Sequence, residues 1–249
     1  HVLVAGLDAE DEQVDALIYG AALGADTRHH ALFLRNDWTG ERHQLGVGLR
    51  HTRYDSFGNQ LTGEASWGLQ LDRDSYAWLA AGRGFRAPDA TERFGFGGNP
   101  ALRPEQSDSV ELGLRHRRGG HGYTLALFAQ RITDLIDYPP PTFDAVNIAR
   151  AENQGAELGW QWEDSRRRAA VFATLQDPVD DNGQPLARRP RQQLNADYSQ
   201  SHGRLGWRLA LLAMGERDNS AFDNRTLPGF AVLDAGVSWQ ALPALALDL

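Results

Sequence analysis

The residues able to do chemistry in this 249-residue chain are scattered, and few combinations hold together. His29 and His30 are adjacent, so on an extended segment they face opposite ways and cannot chelate one ion together. Asp177, Asp180, Asp181 and Asn182 with Gly183 gather oxygen ligands as a calcium loop would, but without the EF-hand spacing, so they read as a polar turn. Glu216, Asp218, Asp223 and Asn224 give a second oxygen-rich loop of the same kind. Arg188, Arg189 and Arg191 offer an anion patch, or the arginines of a strand start near a polar headgroup level. No Gly-x-Ser-x-Gly elbow, His-Glu-x-x-His pair or glycine-rich phosphate loop opening a helix is found. There is no cysteine, hence no disulfide framework, thiolate nucleophile or thiolate metal site. All 25 basic residues are arginine, which removes the P-loop lysine and Schiff-base chemistry. A net charge of −8 argues against non-specific nucleic-acid binding.

What must position these residues is β-structure. Along 60–71, Leu61, Gly63, Ala65, Trp67, Leu69 and Leu71 fall on one face and Gln60, Thr62, Glu64, Ser66, Gly68 and Gln70 on the other. The same period of two recurs along the chain and predicts thirteen strands, beginning with 1–9, 29–38, 43–54, 60–71 and 75–86. Connections alternate. Short polar turns are expected at 39–42, 72–74, 118–121, 163–167, 201–203 and 240–243. Long loops are expected at 10–28, 87–106, 137–147, 177–189 and 217–229, with 55–59 as one brief exception. In an up-and-down sheet one end then carries tight turns and the other long loops, the layout of an outer-membrane barrel. No run approaches the roughly 18 apolar residues of a membrane helix, but a barrel strand needs only about 9–11 alternating ones.

All seven tryptophans (Trp38, Trp67, Trp78, Trp160, Trp162, Trp207 and Trp239) fall at or near the short-turn end, as an interfacial girdle requires. Tyr54, Phe57, Phe85, Tyr138 and Phe230 lie toward the other end and are expected to form a second girdle. The polar face carries Glu64, Glu111, Arg115, Glu157, Gln161, Gln193, Asn195, Asp197, Arg208 and Asp234, too much charge for a small packed barrel core. The fold class expected is therefore all-β, a transmembrane antiparallel up-and-down barrel.

The loop after the fifth strand carries a longer pattern: Gly84, Phe85, Arg86, Ala87 and Pro88, then Gly98, Asn99, Pro100, Leu102, Pro104, Glu105, Ser107, Glu111 and Gly113. It resembles the G-F-(R/K)-A-P … G-N-P-x-L-x-P-E-x-S-x-x-x-E-x-G signature of TonB-dependent outer-membrane transporters. Asp134-Leu-Ile-Asp-Tyr138, Ala149–Glu157 and Pro185–Gln193 resemble the cobalamin (vitamin B12) branch of that family in order and spacing. The resemblance implies that residues 1–249 are a partial barrel domain, about 13 of 22 strands, with an N-terminal plug and the final strand lying elsewhere. It implies a Gram-negative outer-membrane location and contact with membrane lipid and lipopolysaccharide. It further implies TonB contact through an N-terminal region, import of cobalamin or a metal chelate, no enzymatic reaction, and no cofactor within this stretch, with any calcium held by earlier loops. Ligand contact is expected from loops 87–106, 137–147 and 217–229, with Phe94, Phe96, Asn99, Tyr138 and Phe222 as candidates. Two other readings stand beside it: a ferric-siderophore or haem receptor of the same class, and an outer-membrane enzyme barrel.

Overall fold

A computed structural model describes residues 1–18, 21–138, 142–220, 223–242 and 244–249. In chain order the strands are β1 (Val2–Ile18), β2 (Ala21–Thr39), β3 (His43–Tyr54), β4 (Gly58–Gln70), β5 (Ser75–Arg86), β6 (Glu105–Arg118), β7 (His121–Asp137), β8 (Val146–Glu163), β9 (Arg167–Asp180), β10 (Gln192–His202), β11 (Leu205–Met214), β12 (Arg217–Ser220), β13 (Asp223–Leu227), β14 (Phe230–Leu242) and β15 (Leu245–Asp248). One short helix, α1 (Ala90–Phe94), interrupts them. Thirteen strands form one antiparallel sheet, each paired with its sequence neighbours, in the order β1 to β11, then β14 and β15. β12 and β13 make a separate hairpin in the connection between β11 and β14.

The sheet is one layer thick. A compact globule of 27.5 kDa exposes about 11,000 Å², whereas this chain exposes 16,558 Å². The excess is apolar. Leu61, Trp67, Leu112 and Leu209 are between 39% and 62% exposed, and no second protein layer covers them. An apolar face of this size is stable only against an apolar solvent or partner.

Register fixes the two faces, because residues directly opposed across a ladder share a side. Leu45 opposes Trp67, which opposes Leu79, which opposes Leu112, which opposes Leu127, and all point to the apolar face. On the other face Arg35 pairs with Asp37 at 2.7 Å and with Glu64, Arg50 with Asp8 at 3.4 Å, and Arg208 with Asp197.

The tryptophans lie at one level near the short turns, as expected, but Trp78 is on the polar face. It opposes Gly68 and Gly113, and its indole N–H donates to Glu111. Gly113 is required there, since a Cβ would lie 2.0 Å from the Trp78 ring. Tyr54 and Phe230 do not join a second girdle on the apolar face. Tyr54 sits on the polar face opposite His29, in a ring cluster with Phe57 and Phe85. Phe230 lies under Arg217. At that level the apolar face instead carries a charge ladder. Arg83 opposes Asp108 (2.7 Å), Asp108 opposes Arg131, and Arg131 opposes Glu152 (3.0 Å). From Trp162 to Glu152 is about 33 Å along β8, or about 25 Å of height at a usual tilt of about 40°. That equals the apolar band of a membrane barrel.

Three expected loops prove to be partly strand. Segment 10–28 is a hairpin in which β1 and β2 stay paired from Val2↔Asp37 to Ile18↔Ala21. Above the apolar band neither face meets lipid, so backbone pairing persists without a continuous apolar stripe to announce it. Cross-strand contacts such as Arg28–Asp11 (2.6 Å) and His29–Asp8 (3.2 Å) support it. β9 likewise runs on to Asp180, and 217–229 contains β12 and β13.

Candidate ligand-binding mouth

At the long-loop end the chain from Arg86 to Glu105 folds back over the polar face. Asp89 starts α1 with a capping box: its carboxylate accepts from the Glu92 N–H (2.8 Å), and the Glu92 carboxylate accepts from the Asp89 N–H (2.9 Å). Arg86 then grips the loop at both ends. Its guanidinium donates twice to Glu92 (2.9 and 2.9 Å) and twice to Glu105 (2.9 and 2.7 Å). Glu105 is buried and also accepts the Ile136 N–H at 2.9 Å.

The glycines after α1 are set by backbone approach. Gly97 has φ +69°, and a Cβ there would lie 2.6 Å from the Phe143 carbonyl oxygen. A Cβ on Gly98 would lie 2.8 Å from three backbone atoms of 93–95. The Ala145 N–H donates to the Gly97 carbonyl at 2.6 Å, and Ala145 is fully buried. Asn147 donates to the Arg103 and Asp134 carbonyls and accepts from the Arg103 N–H. The signature residues thus form a bracket joining loop 87–104 to segment 134–147.

α1 rests against β2. On upper β2 the odd residues Leu23, Ala25, Thr27 and His29 are the covered ones, and their even neighbours are exposed. α1 therefore closes part of the mouth on the polar side. The Arg93 guanidinium stacks 4.7 Å from the Phe57 ring centre and 4.6 Å from that of Phe94, pinning α1 to the turn.

The expected contact residues fall in different places. Phe94 and Phe96 are 40% and 85% exposed at the mouth. Tyr138 is half-buried; burial, with Glu92 and Asp89 nearby, pushes its phenol pKa up. Asn99 is spent within the loop, donating to the Ala145 carbonyl (3.0 Å) and accepting from the Ala101 N–H (3.0 Å). Phe222 lies outside the described residues. Arg93, Phe57 and the Arg86–Glu92–Glu105 trio were not singled out as mouth residues from sequence; only the spacing of Arg86 and Glu105 in the signature marks them.

The other candidate chemistry resolves into structure. The Asp180 carboxylate accepts from the Asn182 and Gln184 N–H groups, closing a turn with Gly183 at φ +75°. Arg188 binds the Asn219 carbonyl and Arg191 pairs with Asp177 at 2.8 Å. Among the described residues no group of three or more His, Cys, Asp or Glu is placed to hold a metal ion.

Burial alone would raise the Glu105 pKa, but the Arg86 hydrogen bonds, the Ile136 N–H and nearby Arg189 outweigh it and hold the carboxyl below its ordinary 4.5. A carboxyl depressed by folding stabilises the bracket above its unfolded pKa, and that contribution is lost as pH falls through the folded value. Amide exchange in 90–104, corrected for intrinsic rate, is therefore expected to be constant from pH 7 to about pH 5 and to rise below about pH 4. A flat profile down to pH 3 contradicts this.

A one-layer antiparallel sheet with an apolar band between a tryptophan level and a charge ladder, and a polar face capped by a folded loop, is part of a membrane barrel wall. The family model "TonB dependent receptor-like, beta-barrel" matches residues 10–249, and the chain belongs to that family. It is 28% identical over 192 residues to the vitamin B12 transporter BtuB of Vibrio vulnificus, covering 73% of this chain and 31% of that protein. With BtuB of Vibrio cholerae it shares 24% identity over 202 residues, 78% of this chain and 33% of the relative. It thus spans about a third of the length of these curated relatives. In structure it resembles the ferric enterobactin receptor PfeA of Pseudomonas aeruginosa, with a TM-score of 0.83 and 17% identity over 99% of this chain and 44% of that one. The copper transporter OprC gives 0.82 and 16%, over 99% and 46%.

Proposed function

We propose that the full-length protein is an outer-membrane importer of a Gram-negative bacterium, energised through TonB, and that its ligand is cobalamin. The observation that carries the reading is the Arg86 bracket. It folds loop 87–104 back from β5 to β6 and leaves Phe94 and Phe96 exposed; in this reading they and Tyr138 are the residues that meet the ligand. The similarity to the two vitamin B12 transporters favours cobalamin over other large ligands. In this reading the polar face lines the lumen, the apolar face meets lipid, and lipopolysaccharide packs near the charge ladder. A plug, a TonB-contacting segment and the strands that close the barrel belong to the rest of the protein. The chain acts as a transporter and not an enzyme, and it needs no cofactor in residues 1–249; any calcium sits in loops elsewhere.

The test is growth on limiting cobalamin of a Gram-negative strain lacking its own cobalamin transporter, carrying the full-length gene, with and without TonB. Growth that requires both is the expected result. Growth on a ferric chelate or haem instead would move the protein to the iron-receptor reading. Import of neither ligand would remove the transport assignment.

A further inference from the structure

On the apolar face near the short turns, strands β6 to β9 carry a patch that transport does not use. Leu114, Leu125, Leu158 and Val171 line an apolar groove of about 420 Å³, bordered by His116, Tyr123 and Trp160. Register orders the border: His116 opposes Tyr123, and Tyr123 opposes Trp160. One pair nearer the turn, Arg118 opposes His121, and His121 opposes Trp162. The His121 ring lies 6.3 Å from the Tyr123 ring and 6.1 Å from each of the two tryptophans.

Hydrogen bonding fixes where the His121 proton is. The Trp160 indole N–H points at His121 Nδ1 at 3.3 Å. An indole can only donate, so Nδ1 accepts and the proton of the neutral ring is on Nε2. Arg118, beside it, is exposed and makes no ion pair among the described residues. The patch therefore joins an apolar groove to a cation and a fixed N–H donor at one level of the tryptophan girdle. His43 accepts from Trp67 in the same way at 3.1 Å, but its opposite residue is Leu69, so no arginine faces it across the ladder.

We propose that this patch is a binding site for one diacyl glycerophospholipid. An acyl chain lies in the groove, and the phosphate accepts hydrogen bonds from His121 Nε2–H and the Arg118 guanidinium. The chemistry matches at both ends: a charge-assisted contact to a phosphate oxygen and burial of a methylene chain against leucine and valine. The inference rests on the reading that the apolar face meets lipid.

The test uses the full-length protein reconstituted in vesicles of phosphatidylethanolamine, phosphatidylglycerol and lipopolysaccharide, then released in mild detergent for native mass spectrometry. The wild type is expected to retain one phospholipid. Arg118→Gln combined with His121→Phe, which keeps a stacked ring but removes the donor, is expected to lower the retained fraction about tenfold. Leu125→Trp, which fills the groove, should do the same, while His43→Phe should leave retention unchanged. Arg118→Gln alone, at an exposed position, serves if the double variant does not fold. Equal retention by all variants, retention of lipopolysaccharide in place of phospholipid, or no retained lipid overturns the site. A protein that enters vesicles yet retains nothing defeats the site alone; one that does not enter defeats the lipid-facing reading as well.

Discussion

Replacing Arg86 with alanine is expected to release loop 87–104 and to raise tryptic cleavage after Arg93 about ten- to hundredfold in the folded full-length protein. Arg86 makes four charge-assisted hydrogen bonds, two to each of two carboxylates that are themselves largely shielded. Such bonds contribute about 1.5–3 kcal/mol each in buried settings. The Arg86 side chain is itself 46% exposed, so solvent screening reduces the total to about 1.4–2.8 kcal/mol for the bracket. Removing the guanidinium also leaves Glu105 buried with only the Ile136 N–H. β5 and β6 should remain paired, because Gly84↔Ser107 and the pairs below it do not depend on the loop. Arg86→Lys should recover less than half of the protection, since an ammonium cannot reach both carboxylates as a planar fork does. Unchanged cleavage in Arg86→Ala would show that the arginine is not what holds the loop.

Gly97→Ala is expected to be at least as damaging locally. Two penalties combine: a left-handed backbone costs a residue with a Cβ about 1–2 kcal/mol, and the methyl would press 2.6 Å from the Phe143 carbonyl oxygen. Relieving that overlap costs about 1–3 kcal/mol more. The hydrogen bond from Ala145 to Gly97 must then lengthen, so exchange of the Ala145 amide should rise about thirtyfold or more. Gly58 provides the contrast. Its φ is +70°, but a Cβ there has nothing within 4 Å, so Gly58→Ala should cost only the backbone part. If the two substitutions have equal effects, the close approach to Phe143 contributes nothing and the bracket is looser than described.

How much of this was legible in the sequence depended on which solvent each segment meets. Within the apolar band one face must be greasy and the other polar, so strands such as 43–54 and 60–71 announce themselves, and β3 and β4 follow closely. Beyond the band neither face meets lipid, and the strong apolar stripe fades although the hydrogen bonding does not; that hides the upper halves of β1 and β2. The phase of β5 was ambiguous because Tyr76, Trp78 and Leu79 put bulk on both faces, and only pairing with β4 places Trp78 on the polar side. α1 is five residues long, too short to show a helical period. The signature around Arg86 and Gly98 was readable as a pattern, but its physical purpose was not. Arg86 and Glu105 are 19 residues apart and meet only because the loop returns. The same return explains why Asn99, which looked available for a ligand, is occupied by Ala145 and Ala101.

Each strand of the main sheet leans only on the next members of that sheet along the chain, with the β12–β13 hairpin set aside between β11 and β14. Bringing neighbours together needs only the intervening turn or loop to close, and the entropy lost grows slowly with loop length. No strand has to wait for a distant part of the chain before it finds its partner. The wall can therefore grow as a succession of hairpins added to a moving edge, with each addition making a template for the next. A lesion in one strand should then arrest growth at that point and leave the strands already added paired.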